Sequence, residues 1–144
     1  MTNPDEGAAP FVMDIEPGKV REFARATGSR HPEHTDGPTP RSPVTFLQAS
    51  AFWQSRANSP LPADRDMRRV LHAEQEFVFP DGPPRAGVSL TGRSRIEKTW
   101  TKQGRRGGQL DFTLQVTDYV DGDGTLVAQV RNTSVVTAKP TGAS

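Results

Sequence analysis

The spacing of apolar side chains along this chain changes from a helical to an alternating period, dividing it into a front half of helices and loops and a back half of strands. Between Pro17 and Thr27, Val20, Phe23, Ala24 and Thr27 recur at i, i+3, i+4 and i+7, which predicts a short helix with Gly28 placed to cap its C-terminus. The following stretch, 35–43, carries Gly37, Pro38, Pro40 and Pro43 and reads as an irregular loop. From Thr45 to Ala57 the run TFLQASAFWQSRA has Thr45 as a possible N-cap and apolar residues on nearly every face, the pattern of a helix wrapped by other structure. After a loop with Pro60 and Pro62 the period drops to two: Leu71, Ala73, Phe77 and Phe79 alternate with His72, Glu74 and Glu76. Three longer strands follow, marked by Val88, Leu90, Ile96 and Trp100, then by Leu110, Phe112, Leu114 and Val116, then by Leu126, Ala128, Val130 and Val136. Gly104-Arg105-Arg106-Gly107-Gly108 and Asp121-Gly122-Asp123-Gly124 separate them with turn chemistry suited to hairpins.

A buried helix followed by an antiparallel sheet of four or more strands predicts an α+β, hot-dog architecture. The sheet curls around a long central helix and offers it one apolar face. A β-barrel with a peripheral helix is the alternative. The polar, acidic residues 1–10 and the tail 139–144, with Pro140 and Gly142, are expected to be disordered ends of a single domain at 11–138. No internal repeat is evident.

Composition removes several function classes. Lys and Arg total 18 against 17 for Asp and Glu, a formal charge of +1, so no global field draws the chain to nucleic acid or an anionic membrane. With no Cys there is no thiol nucleophile, disulfide framework or Cys-ligated zinc. The absence of a signal-like start or a membrane-length apolar run predicts a cytoplasmic protein. His31, His34 and His72 match no zinc spacing, so no metal is expected. The basic set Arg93, Arg95, Lys98, Lys102, Arg105 and Arg106 clusters about one hairpin. It reads either as solvated charge or as a clamp for coenzyme A or phosphopantetheine phosphates, with Arg105 and Arg106 at its tip.

The segment Gly28-Ser29-Arg30-His31-Pro32-Glu33-His34 resembles the hydratase motif of MaoC-like proteins, roughly G-D-x-N-P-[LIV]-H. Gly28, Pro32 and His34 match, whereas Ser29 stands at the Asp position, His31 at the Asn and Glu33 at the aliphatic residue. The likeness continues through Pro43-Val44-Thr45-Phe46, Leu71-His72-Ala73-Glu74-Gln75-Glu76-Phe77, Pro84-Arg85-Ala86-Gly87, Leu90-Thr91-Gly92, Gly104 to Gly108 and Leu126-Val127-Ala128, covering most of 14–138.

The resemblance implies a MaoC-type dehydratase N-terminal domain, that is, a hot-dog subunit of a 3-hydroxyacyl-thioester dehydratase or enoyl-thioester hydratase of fatty acid or polyketide metabolism. Family members are often built from two hot-dog units, one carrying the catalytic pair and the other shaping the acyl pocket. Such a subunit needs no cofactor beyond the coenzyme A or carrier-protein phosphopantetheine that bears its substrate. His34 then occupies the position of the base, and Ser29 marks a lost carboxylate that a second hot-dog chain would supply. Asp36 lies nearby but two residues past His34, out of register. His72 is expected at the helix, at an interface or in the substrate site. The alternative is a catalytically silent acyl-thioester-binding or scaffolding homodimer. A hot-dog thioesterase, which needs a carboxylate near the central helix, is disfavoured because Thr45 to Ala57 contains neither Asp nor Glu.

Overall fold

A computed structural model of the chain describes residues 8–139. Strand β1 (Phe11–Asp14) is followed by helices α1 (Pro17–Ala26) and α2 (Pro32–Thr35), a central 3₁₀ helix (Phe46–Trp53), and strands β2 (Val70–Val78), β3 (Ser89–Gln103), β4 (Gln109–Val120) and β5 (Leu126–Val136). Two three-residue 3₁₀ turns separate the central helix from β2. The strands form one antiparallel sheet in the order β1-β3-β4-β5-β2. This is the α+β hot-dog arrangement, with the central helix laid across one face of the sheet.

Helix α1 forms as its periodicity predicts, burying Val20 and Ala24. Its end is a Schellman motif: Gly28 at φ +75° donates its N–H to the Arg25 carbonyl, and Ser29 donates to the Ala24 carbonyl. The core gathers Phe11, Met13 and Ile15 from β1 and its exit, Val20 of α1, Phe46 and Leu47 of the central helix, and Leu90, Tyr119 and Ala128 of the sheet. Phe11 meets Tyr119 edge-on at 5.8 Å and lies flat against its cross-strand partner Gly92, where a Cβ would overlap the Phe11 ring.

Three expectations are corrected. The central helix is not long: it is an eight-residue 3₁₀ helix. At three residues per turn, side chains at i and i+3 eclipse. Its residues therefore sort into rows, Phe46-Ala49-Phe52 toward α1 and Leu47-Ser50 with Gln48-Ala51-Gln54 toward the sheet. The all-round apolar character seen at a period of 3.6 dissolves, and Phe52 is 90% exposed. Second, the apolar stripe of β4 does not receive the helix. Gln115, Thr117 and Tyr119 face it, while Phe112, Leu114 and Val116 look to the opposite side of the sheet. Third, β3 does not keep one parity. A register shift between Ile96 and Lys98 turns Trp100 to the face away from the helix, where it stacks on Phe112 at 5.1 Å.

The tied part of the fold also begins before residue 11. Ala9 donates its N–H to the Ala57 carbonyl, and the buried Asn58 amide donates to the carbonyls of Ala9 and Pro10. The remainder of the two expected disordered ends, residues 1–7 and 140–144, lies outside the described residues.

Candidate functional site

The motif segment is held by backbone capping at both of its ends. Ser29 is the residue that closes the Schellman turn, so its conformation is dictated by the end of α1. Its Oγ lies 3.5 Å from the His31 amide nitrogen and has no contact with His34. Pro32 opens α2, where its missing N–H is no loss, and His31 caps that helix by accepting the Glu33 N–H on Nδ1 at 3.3 Å.

His34 is half-buried, with Nδ1 2.7 Å from the Arg41 carbonyl oxygen. A carbonyl can only accept, so Nδ1 carries the proton, and in the neutral ring Nε2 presents a lone pair. This leaves His34 in the tautomer of a proton acceptor, oriented by a fixed backbone group. Among the described residues no carboxylate joins it. Glu33 lies 3.7 Å from both the Arg41 and the Arg85 guanidinium, and Asp36 accepts from the Thr35 hydroxyl at 2.9 Å. Arg41 in turn donates to the Pro83 carbonyl and bridges to Arg85, tying the segment to the loop that enters β3.

The other candidates lie elsewhere. Arg105 and Arg106 are exposed at the tip of the β3-β4 hairpin. The His34 segment sits beside the opposite end of β3, whose 15 residues are roughly 45–50 Å of strand at about 3.3 Å each. Within one chain the two do not meet. His72, exposed on β2, places Nε2 3.1 Å from the Gln75 Oε1, which also accepts from the Asn132 amide at 3.1 Å. Among the described residues no three His, Cys, Asp or Glu side chains gather as a metal would require, and no helix is long and apolar enough to cross a membrane.

His72 thereby borders a feature the sequence reading missed. Between the central helix and the sheet lies a cavity of about 230 Å³, walled by Gln48, Ser50, Gln54, Gln75, Gln115, Thr117, Tyr119 and Asn132 with only three apolar residues. Tyr119 is deeply buried, and that burial pushes its phenol up to about 12, against a smaller opposite effect of the Ser50 hydroxyl beside it. Uncharged amides carry no motif, which is why these residues went unmarked. The usable signal was Gln48-Ala51-Gln54 at a spacing of three, but only a 3₁₀ reading would expose it.

Residues 7–130 match the family model described as the FAS1-like, dehydratase domain region. A UPF0336 protein of Clavibacter michiganensis subsp. michiganensis is 36% identical over 140 residues, covering 90% of this chain and 87% of that one. Among solved structures, a chain of the HadBC (3R-hydroxyacyl-ACP dehydratase) complex from Mycobacterium tuberculosis superposes with TM-score 0.68 at 23% identity, over 91% of this chain and 97% of its own. The ChsH1-ChsH2 complex from the same organism gives 0.71 at 16%, over 96% and 87%. A MaoC-like dehydratase from Rhodospirillum rubrum gives 0.60 at 15%, over 93% and 94%. At these identities the structural matches establish the hot-dog fold.

Proposed function

This chain belongs to the FAS1-like dehydratase-region family of MaoC-like hot-dog proteins, and from that premise we propose that it is one subunit of a 3-hydroxyacyl-thioester dehydratase or enoyl-thioester hydratase. Dehydration removes a proton from the carbon next to the thioester carbonyl and expels the 3-hydroxyl as water; hydration is the reverse. Both directions need a proton acceptor near neutral pKa and a carboxylate that orients the water or hydroxyl. The observation that carries the reading is His34: its Nδ1–H is fixed on the Arg41 carbonyl and the neutral ring leaves Nε2 as an acceptor, yet among the described residues no carboxylate stands beside it. Ser29 belongs to a helix cap and Glu33 faces two arginines, so the missing acid is assigned to a second hot-dog chain bearing the intact Asp and His pair. The structural neighbours named as HadBC and ChsH1-ChsH2 are two-component complexes, which favours the pairing. The thioester would be carried by coenzyme A or a carrier-protein phosphopantetheine.

The test is hydration of a short enoyl-CoA by the purified chain, by a hot-dog partner with an unbroken Asp and His motif, and by the two together. Activity is expected only in the combination, and His34→Ala in this chain should lower it. Full activity of the chain alone, unaffected by His34→Ala, would overturn this division of roles. A second reading, a silent acyl-thioester-binding homodimer, is favoured by the engagement of Ser29 and Glu33 in structural contacts. It requires acyl-CoA binding without turnover whatever the partner.

A further inference from the structure

The cavity under the central helix is walled by hydrogen-bonding groups and carries no charge. Its helix side is Gln48, Ser50 and Gln54 with Leu47 and Ala51, and its sheet side includes Gln75, Gln115 and Asn132. Several of these are fixed in place by one another: Gln54 Nε2 donates to Ser50 Oγ at 2.9 Å, Asn132 Nδ2 donates to Gln75 Oε1 at 3.1 Å, and Gln75 Nε2 donates to the Arg131 carbonyl at 3.3 Å. Among the described residues the Gln115 amide and the Asn132 Oδ1 have no protein partner, and no buried side-chain N or O is sealed off unpaired, so these groups open onto the cavity.

Building on the acyl-thioester reading above, we propose that this cavity receives the acyl portion of the thioester and selects acyl groups bearing an uncharged oxygen, hydroxyl or keto, distal to the reacting carbons. The absence of charge on the wall argues against a carboxylate or phosphate terminus, which would enter with no countercharge. A plain alkyl segment would strip water from the Gln115 and Asn132 groups without replacing it, and a wall built to hydrogen-bond rejects the analogue that lacks the bonding atom. A hydroxyl satisfies both, donating to Asn132 Oδ1 and accepting from the Gln115 amide. The volume of about 230 Å³ is that of roughly eight waters at ~30 Å³ each, so it holds a short segment of the acyl group and not a whole thioester.

The test is binding of matched acyl-pantetheine probes, hexanoyl to dodecanoyl, each plain or with a terminal hydroxyl, to the full chain by calorimetry. At the chain length that reaches the cavity the hydroxylated probe should bind at least about tenfold more tightly, and Gln115→Leu should cut that preference to below about threefold. Asn132→Ala, which removes the Oδ1 acceptor, serves the same purpose if Gln115→Leu fails to fold. Equal or tighter binding of the plain probes at every length, or a preference untouched by either variant, would overturn the proposed selectivity while leaving the acyl-thioester reading standing. Failure of both probe series to bind the folded chain, alone and combined with the hot-dog partner, would instead overturn the acyl-thioester reading itself.

Discussion

The two faces of β4 divide the molecule in an unexpected way. Toward the helix, where a core belongs, stand Gln115, Thr117 and Tyr119; away from it stand Phe112, Leu114 and Val116, the stripe that reads as core in the sequence. The outward stripe is not left bare. Arg131 pairs with Glu97 at 3.0 Å, Arg95 with Asp118 at 2.5 Å, and Gln129 donates to Asp118 at 2.7 Å. These long side chains roof Val116, which is 0% exposed. Lys98 and Lys102 lie over the Trp100 and Phe112 rings at 5.3 and 5.6 Å. The apolar face is thus sheltered by charged side chains lying across it, and the polar face is kept open as a cavity wall. Burial alone therefore does not tell the two faces apart; the chemistry of their side chains does.

The sharpest way to break this comparison is to invert the character of each face, with a charge on the apolar one and an apolar side chain on the polar one. Val116→Asp strands a carboxylate under the charged roof and should cost about 3–5 kcal/mol in urea unfolding. Gln115→Leu, one residue away on the cavity wall, should change stability by no more than about 1 kcal/mol. A similar loss from both would mean that the faces are equivalent.

The faces should also differ in pH response. Tyr119 on the inner face has its phenol raised to about 12 from 10.0, so its contribution is intact below pH 10 and lost as the pH rises toward 12, when the unfolded chain ionises first. Two units correspond to about 2–3 kcal/mol at most. Tyr119 is the only tyrosine, so phenolate absorbance reports its titration directly, and Tyr119→Phe should flatten the alkaline loss. On the outer face the Arg131 guanidinium holds Glu97 below the usual glutamate range. That contribution is present above the ordinary carboxylate pKa and fades as the pH falls through the lowered one. The pair is solvent-exposed, so this effect is the smallest, and it should shrink further with added salt and vanish in Glu97→Gln.

Much of this was legible in the sequence. Local signals fixed local structure: Val20 and Ala24 set the buried side of α1, Gly28 its cap, and the Gly104–Gly108 and Asp121–Gly124 clusters the two hairpins. The motif position of His34 drew attention to a residue whose tautomer the fold does orient. What the sequence alone could not decide was which face of a strand meets the helix. An alternation of period two is unchanged when the faces are exchanged, and a single bulge, as between Ile96 and Lys98, resets it without any residue announcing the shift. Nor could it decide the pitch of Phe46–Trp53, because three and 3.6 residues per turn sort the same eight side chains into different rows. Those two choices, made by packing over the whole sheet, set a polar cavity beside the apolar core.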